Sequence, residues 1–388
     1  MYAQLTDPEL AAPAPVVKPK PSRMAALDGL RFLAAIVVVS YHYTAMGSVA
    51  WGGKSSQKLF PLLHHFTAYS WMGVQLFFLI SGFVICMSSW GRSVGDFFIS
   101  RVTRLYPAYW AAVLITATVL AIWPTVLPRR SLHDVLVNLT MLQLPMGVTQ
   151  VDGVYWTLWI EMKFYLLFAL VIWRGLNYRS AVAFCSLWTV ATVITRETGS
   201  DFLDIVVVPE YSPFFVAGIA FYLMYRFRPT PLLWGIVVMQ FLLAQQAIMF
   251  NFRHEMRDLN YTVPEWPVMV ILTVMFAVMA LLALGKLSWV RGKWLTTLGA
   301  LTFPLYLVHE NIGWNLIHAF RTKLPHGVLV VLVTLAMLTL AWLINRLVEK
   351  PLSKRVRAAV SRGVEEMRSQ SGQAFARRKA EPISNGDR

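Results

Sequence analysis

Trp71-Met72-Gly73-Val74-Gln75-Leu76-Phe77-Phe78-Leu79-Ile80-Ser81-Gly82-Phe83-Val84-Ile85-Cys86-Met87-Ser88-Ser89-Trp90 carries no formal charge along its whole length. A run of roughly 20 apolar residues is what a helix needs to cross a hydrocarbon core of about 30 Å. Outward from this stretch, further apolar runs stand near 25–46, 105–123, 155–173, 181–195, 206–225, 231–250, 267–285, 298–320 and 327–347. The run at 181–195 is short, and residues 132–145 suit an interfacial helix. The pattern predicts an all-α integral membrane protein, a bundle of about ten transmembrane helices. Composition agrees: of 388 residues 57% are hydrophobic and 14% charged, whereas soluble domains carry about a quarter charged residues. Mean hydropathy is +0.54.

Charge placement orients the bundle. Basic residues gather on the cytoplasmic flank of membrane proteins. With the N-terminus inside, every inward loop carries at least a basic pair, such as Arg101 and Arg104, Arg174 and Arg179, or Arg226 and Arg228. Outer loops hold acids such as Asp201, Asp204, Glu255 and Asp258. Both the N- and C-termini are therefore expected to be cytoplasmic, in a multi-pass protein of the cell (plasma) membrane. The net charge of +15 follows from this bias, and no basic stripe with interleaved aromatics points to nucleic acid. Residues 1–22, proline-rich and without an apolar core, read as a disordered segment rather than a signal peptide. Residues 23–350 form the transmembrane domain, and 351–388 a basic cytoplasmic tail too small for a second soluble domain.

The two cysteines, Cys86 and Cys185, each sit in an apolar run and indicate neither a disulfide framework nor a metal. CxxC, GxxxxGK and HExxH are absent, and His309-Glu310 lacks a second histidine. The sequence therefore gives no metal site and no permanently bound cofactor.

A charge within a span costs about 2.5–3.5 kcal/mol on insertion scales, so each one asks for a reason. Arg31 and His42 are eleven residues apart on the first span, which places them roughly 16 Å apart on nearly one helix face. His42 lies in the outer half, and a histidine there suits a general base. Arg101 and Arg104, three residues apart on one face, offer guanidiniums to phosphate oxygens, or simply flank the membrane. Glu161, a few residues into the fourth span, could orient His42 as a third member does in a triad, or pair with Lys163 or Arg31. Tyr165 follows it one turn on. His309 and Glu310 fall near mid-membrane and either line a cavity or hold an acceptor, or else form a buried polar network; Asp28 and Tyr165 are further candidates for the acceptor or the cavity. Ser81-Gly82 reads as a close helix contact rather than a nucleophile.

Taken in order, these segments resemble the acyltransferase family 3 membrane enzymes over about 24–350. The resemblance rests on the Leu-Asp-Gly-Leu-Arg opening that includes Asp28, on Arg31 and His42, and on the Phe-Phe-x-x-Ser-Gly-Phe tract. It rests further on Arg101-x-x-Arg104, the Trp-Thr-Leu-x-x-Glu segment and the Tyr-Leu-x-His segment. It implies transfer of an acyl group, commonly acetyl, from acetyl-CoA or another acyl-CoA to a hydroxyl. The implied acceptor is a sugar of an envelope or exported polysaccharide or glycolipid, or else a small natural product such as a macrolide. It further implies that His42 is the base, that Arg31 serves the donor path and that Arg101 and Arg104 hold the coenzyme. No fused esterase-like domain is seen, which suggests a stand-alone enzyme. Direct transfer and an acyl-histidine intermediate both fit. A transporter remains the rival class, though no inverted repeat or paired broken helices appear. The expected partners are acyl-CoA, a hydroxyl acceptor and the lipid bilayer.

Overall fold

The computed structural model describes residues 24–46, 49–259, 262–360 and 362–363, with backbone only at 257–259. The expected proline-rich segment and most of the basic tail lie outside the described residues. Every regular element among the described residues is helical. The main ones are α1 (Ala25–Ser40), α2 (Gly73–Ser89), α3 (Val94–Ile122), α4 (Leu132–Asn138), α5 (Trp156–Trp173) and α6 (Tyr178–Thr198). Then come α7 (Asp201–Val207), α8 (Ser212–Arg226), α9 (Pro231–Leu259), α10 (Trp266–Ala283), α11 (Lys293–Phe320) and α12 (His326–Leu343).

Among the described residues, 8 helical stretches are long and apolar enough to cross a membrane. Helices α6 and α11 are not among them, being rich in polar side chains such as Arg196, Glu197, His309, Glu310 and Asn311. The bundle wears its apolar residues outside as well as inside. Leu166 and Leu170 on α5, Val270 and Val274 on α10, and Val331 and Leu335 on α12 are all exposed. Bands of this kind on successive helices require lipid as their solvent. The chain is a multi-pass membrane protein.

Two boundaries differ from the apolar runs. Helix α3 starts at Val94, well before the expected 105, because Ser93 and Asp96 form a capping box that satisfies its first N–H groups. Arg101 and Arg104 thus ride on the helix itself. The run 206–225 is broken between α7 and α8, where Val208 takes a φ of 53° and Pro209 follows. Glu210 and Tyr211 sit in that break, and Pro213 opens α8.

Helices α2 and α8 touch backbone to backbone. A Cβ on Gly82 would stand 2.1 Å from the Phe215 carbonyl oxygen, and one on Gly218 would stand 2.1 Å from that of Leu79. Only glycine on both helices allows this approach, as expected for Ser81-Gly82.

Prolines interrupt two helices, and the C-terminal helix repairs both. Pro107 inside α3 has no N–H for the Thr103 carbonyl, which instead accepts from Ser353 Oγ at 2.9 Å. Pro304 inside α11 leaves the Ala300 carbonyl free in the same way, and Asn345 Nδ2 reaches it at 3.4 Å. Helix α12 continues through a π-helical turn, Ile344–Glu349, as far as Val360. The first residues of the expected tail are therefore helical and packed. In a membrane interior such repairs are what make proline tolerable.

Candidate active site

Helix α1 does not end as an α-helix. Tyr41–Ala45 form a π-helical turn, closed by Met46 N–H on the Tyr41 carbonyl at 2.9 Å. A π turn leaves carbonyls in need of donors, and here indoles supply them. Trp314 Nε1 donates to the His42 carbonyl at 3.0 Å, and Trp51 Nε1 to that of Tyr43 at 2.9 Å. The Tyr43 hydroxyl donates to the His309 carbonyl at 2.7 Å, tying the turn to α11. His42 is thus held by its own backbone.

Its ring is held as well. His309 Nδ1 lies 2.8 Å from the Tyr306 carbonyl oxygen, so in the neutral ring that nitrogen carries the hydrogen. His309 Nε2 is then an acceptor, and it faces His42 Nδ1 at 3.0 Å. His42 Nδ1 also lies 3.1 Å from the Val38 carbonyl oxygen, so it is the donor. These contacts leave His42 Nε2 with a lone pair and no partner among the described residues. The tautomers follow from the hydrogen-bond pattern. The arrangement can accept a proton at one defined atom.

One cavity reaches this ring, and a second abuts the first. The histidine cavity, of about 480 Å³, is lined by His42, Trp71, Trp156, Glu210, Tyr211, Asn251, Glu255 and Glu310, among others. The arginine cavity is a narrow space of about 80 Å³, lined by Arg31, Ser81, Arg104, Thr157, Glu161 and Tyr165, among others. Val74 and Tyr306 line both, so the cavities abut there. On α1, α2, α5 and α11 the lining residues step in one direction, from Arg31 to His42 and from Gly299 through Tyr306 to Glu310. The two cavities therefore follow one another along the bundle, the arginine cavity first and the histidine cavity next. The Tyr306 hydroxyl sits at the junction, 2.9 Å from Thr157 Oγ1 and 3.3 Å from the Val154 carbonyl oxygen.

The expected site residues divide between these places. Arg31, Arg104, Glu161 and Tyr165 share the arginine cavity. Neither Arg31 nor Arg104 commits its guanidinium to a hydrogen bond with the described residues. Arg101 is not brought to that cavity. It is 8% exposed, donates to Ser88 Oγ at 3.3 Å and Ser100 Oγ at 3.0 Å, and lies over the rings of Phe97 and Tyr165. Glu161 makes no hydrogen bond to His42 and accepts from Ser81 Oγ at 2.8 Å. The carboxylate expected to orient the base is thus among the arginines, and His309 occupies the orienting place. Asp28 is buried where α1 meets Gly299 of α11, off both cavity walls.

Glu310 reaches the histidine cavity beside Gly153. It neighbours Asp152, whose Oδ2 accepts from the Asn311 backbone N–H at 3.2 Å. Burial pushes the Asp152 carboxyl above its ordinary range, against the opposing hydrogen bonds from Asn311 and Glu310. In the sequence Tyr306 had no role beyond its place in the Tyr-Leu-x-His segment, and Glu210 had none. Tyr306 stands three residues before His309, a spacing that puts both on one helix face. Glu210 gave no signal beyond its place before a helix opened by proline.

Among the described residues no cluster of metal-ligating side chains occurs. The family model described as an acyltransferase domain matches residues 24–346. The chain is similar to the acyltransferase MdmB of Streptomyces mycarofaciens, 31% identical over 159 residues, which is 39% of this chain and 40% of that protein. It is also similar to the exopolysaccharide production protein ExoZ of Rhizobium meliloti (strain 1021), 33% identical over 129 residues, which is 31% of this chain and 39% of that protein. The aligned parts thus span about two fifths of these relatives. No solved structure gives a significant match. With the matched region running from the start of α1 through α12, the chain belongs to acyltransferase family 3.

Proposed function

We propose that this protein is a membrane O-acyltransferase that moves an acyl group, in the first instance acetyl, from acyl-CoA to a sugar hydroxyl of an envelope or exported polysaccharide or glycolipid. The observation that carries this reading is the meeting of the two cavities at Val74 and Tyr306, with uncommitted guanidiniums on one side and a fixed imidazole lone pair on the other. Acyl-CoA is the donor and enters at the arginine end, which the positive-inside pattern assigns to the cytoplasm. Arg104 and Arg31 provide cationic donors to phosphate and thioester oxygens, and Glu161 balances their charge. The narrow passage suits a slender pantetheine arm. The wider histidine cavity suits a sugar ring.

His42 Nε2 takes the proton from the acceptor hydroxyl as its oxygen attacks the thioester carbonyl carbon. The C–O bond forms, the C–S bond breaks, and the coenzyme thiolate takes the proton from His42. His309 keeps the His42 ring in the tautomer that presents Nε2 and accepts the Nδ1 hydrogen throughout. In the alternative order Nε2 itself takes the acyl group first and passes it to the hydroxyl. The relative named for exopolysaccharide production supports a glycan acceptor.

The test is thiol release from acetyl-CoA by the purified protein in detergent, with a panel of sugar and macrolide acceptors, for wild type and His42→Ala. Acceptor-dependent release that is lost in the variant is expected. Release that persists unchanged in His42→Ala removes the base. Binding of acetyl-CoA without any release, across the panel, favours a transporter.

A further inference from the structure

We infer that the histidine cavity is built for an acceptor bearing a cationic amino group, that is, an amino sugar. This deepens the proposed function and rests on it for the word acceptor.

The chain as a whole is strongly basic, at +15. Its histidine cavity departs from that balance. Glu210, Glu255 and Glu310 line it together with His42 and His254, and no lysine or arginine is among its described lining residues. Glu310 lies against Asp152 and Gly153, and the Tyr41 hydroxyl donates to Glu255. Glu210 is held differently. It stands in the helix break after Pro209, on the wall shared with a neighbouring cavity that Arg196 lines. The Arg196 guanidinium is occupied by the Pro209 and Leu243 carbonyls and by Gln246 Oε1, at 2.7, 3.2 and 3.0 Å. Glu210 therefore borders the acceptor space with the nearby Arg196 guanidinium engaged by other atoms and with His254 on the same cavity wall.

Two further groups point to a ligand. Trp71 Nε1 and Asn251 Nδ2 belong to side chains 4% and 8% exposed, both residues line the cavity, and neither atom has a hydrogen-bond partner among the described residues. Buried N–H donors are rarely left unpaired in a native structure, so each calls for an acceptor atom from outside the chain. Hydroxyl and ring oxygens of a sugar are such atoms. The walls beside them are aromatic: the Trp156 and Tyr211 rings lie 5.4 Å apart and both line the cavity. Aromatic faces receive the C–H face of a pyranose and also attract a cation. Donors for oxygens, ring faces for carbon and a carboxylate for an ammonium together describe one ligand class. An ammonium adds positive charge to a wall on which three glutamates stand with His254, and an acidic sugar is repelled by them.

The experiment measures binding to the full chain in detergent at neutral pH, where the amine is largely cationic and a carboxylate is ionised. The probes are methyl β-glucosaminide, its N-acetyl derivative and methyl β-glucoside, read by tryptophan fluorescence. The free amine should bind about tenfold tighter than either neutral probe, the size of one charge-assisted contact. Glu210→Gln should bring the three within about twofold of one another, while Glu210→Asp retains most of the preference. Asn251→Ala should weaken all three alike. Unfolding midpoints of the variants check that each is folded. Equal binding of the three probes, no binding of any, or an amine preference that survives Glu210→Gln overturns the inference. Thiol release from acetyl-CoA, measured separately, reports on the acyltransferase reading. Turnover of neutral sugars without amine preference sinks only the inference, and amine-selective binding without thiol release sinks only the acyltransferase.

Discussion

Nδ1 of His42 lies 3.0 Å from Nε2 of His309, although 267 residues separate the two in sequence. The contact fixes which nitrogen of His42 is free. Replacing His309 by alanine should lower kcat by about 10-fold to 100-fold while leaving the KM for acyl-CoA near its original value, since His42 keeps only the Val38 carbonyl as a guide. His309→Gln, whose side-chain oxygen can accept the same hydrogen, should recover part of the loss. Steady-state kinetics with the best acceptor decide it. An unchanged kcat in His309→Ala would remove the histidine from the base's support.

The arginines should separate by role. Arg104→Ala should raise the KM for acyl-CoA by about tenfold, the loss of a charged phosphate contact, with little effect on thermal unfolding. Arg101→Ala should instead lower stability by about 2 kcal/mol, because it removes a hydrogen bond to Ser88 and the cation over two aromatic faces. Donor titration and unfolding in detergent check the two outcomes. If Arg101→Ala altered only the donor KM, its packed position would be the wrong guide.

At the crossing of α2 and α8, Gly82→Ala should destabilise by about 3 kcal/mol, since the new methyl meets a carbonyl oxygen at 2.1 Å rather than a movable side chain. Gly218→Ala should do the same from the other helix. Unfolding midpoints measure both. A midpoint unchanged in either variant contradicts the close approach.

Ser353 and Pro107 should be coupled. Ser353→Ala leaves the Thr103 carbonyl unpaired and should cost about 1–2 kcal/mol. In a Pro107→Ala background the helix supplies its own N–H to that carbonyl, so the serine should matter much less. A double-mutant cycle on unfolding free energy reads the coupling directly. Additive effects would mean that the serine does not serve the proline gap.

Much of the fold was legible because hydrophobic length is a local signal. The apolar runs, Ser81-Gly82 as a contact, and the isolated Arg31 and His42 are all visible without packing. The start of α3 was missed because capping, not hydropathy, begins that helix. The split at Val208–Pro209 was missed because the flanking residues are apolar on both sides. Within the site, Glu161 was expected either to orient His42, on depth alone, or to pair with Lys163 or Arg31, and it lies beside Arg31. Depth places a residue along the membrane normal but says nothing of which helix face meets which. His42 sits in the final π-helical turn of α1, whereas Glu161 is well inside α5, and their side chains enter different cavities. Only the docking of α11 on α1 reveals His309.

The junction at Val74 and Tyr306 has a consequence for the cell as a conductor. A protein hollowed from two directions is one side chain away from being a leak, and a continuous file of water would short-circuit the membrane potential. Here the phenol of Tyr306, anchored at Thr157 and Val154, stands where the two hollows meet. A ring so anchored is placed to keep such a file from forming, so a smaller residue there would be tested by electrophysiology as much as by enzymology.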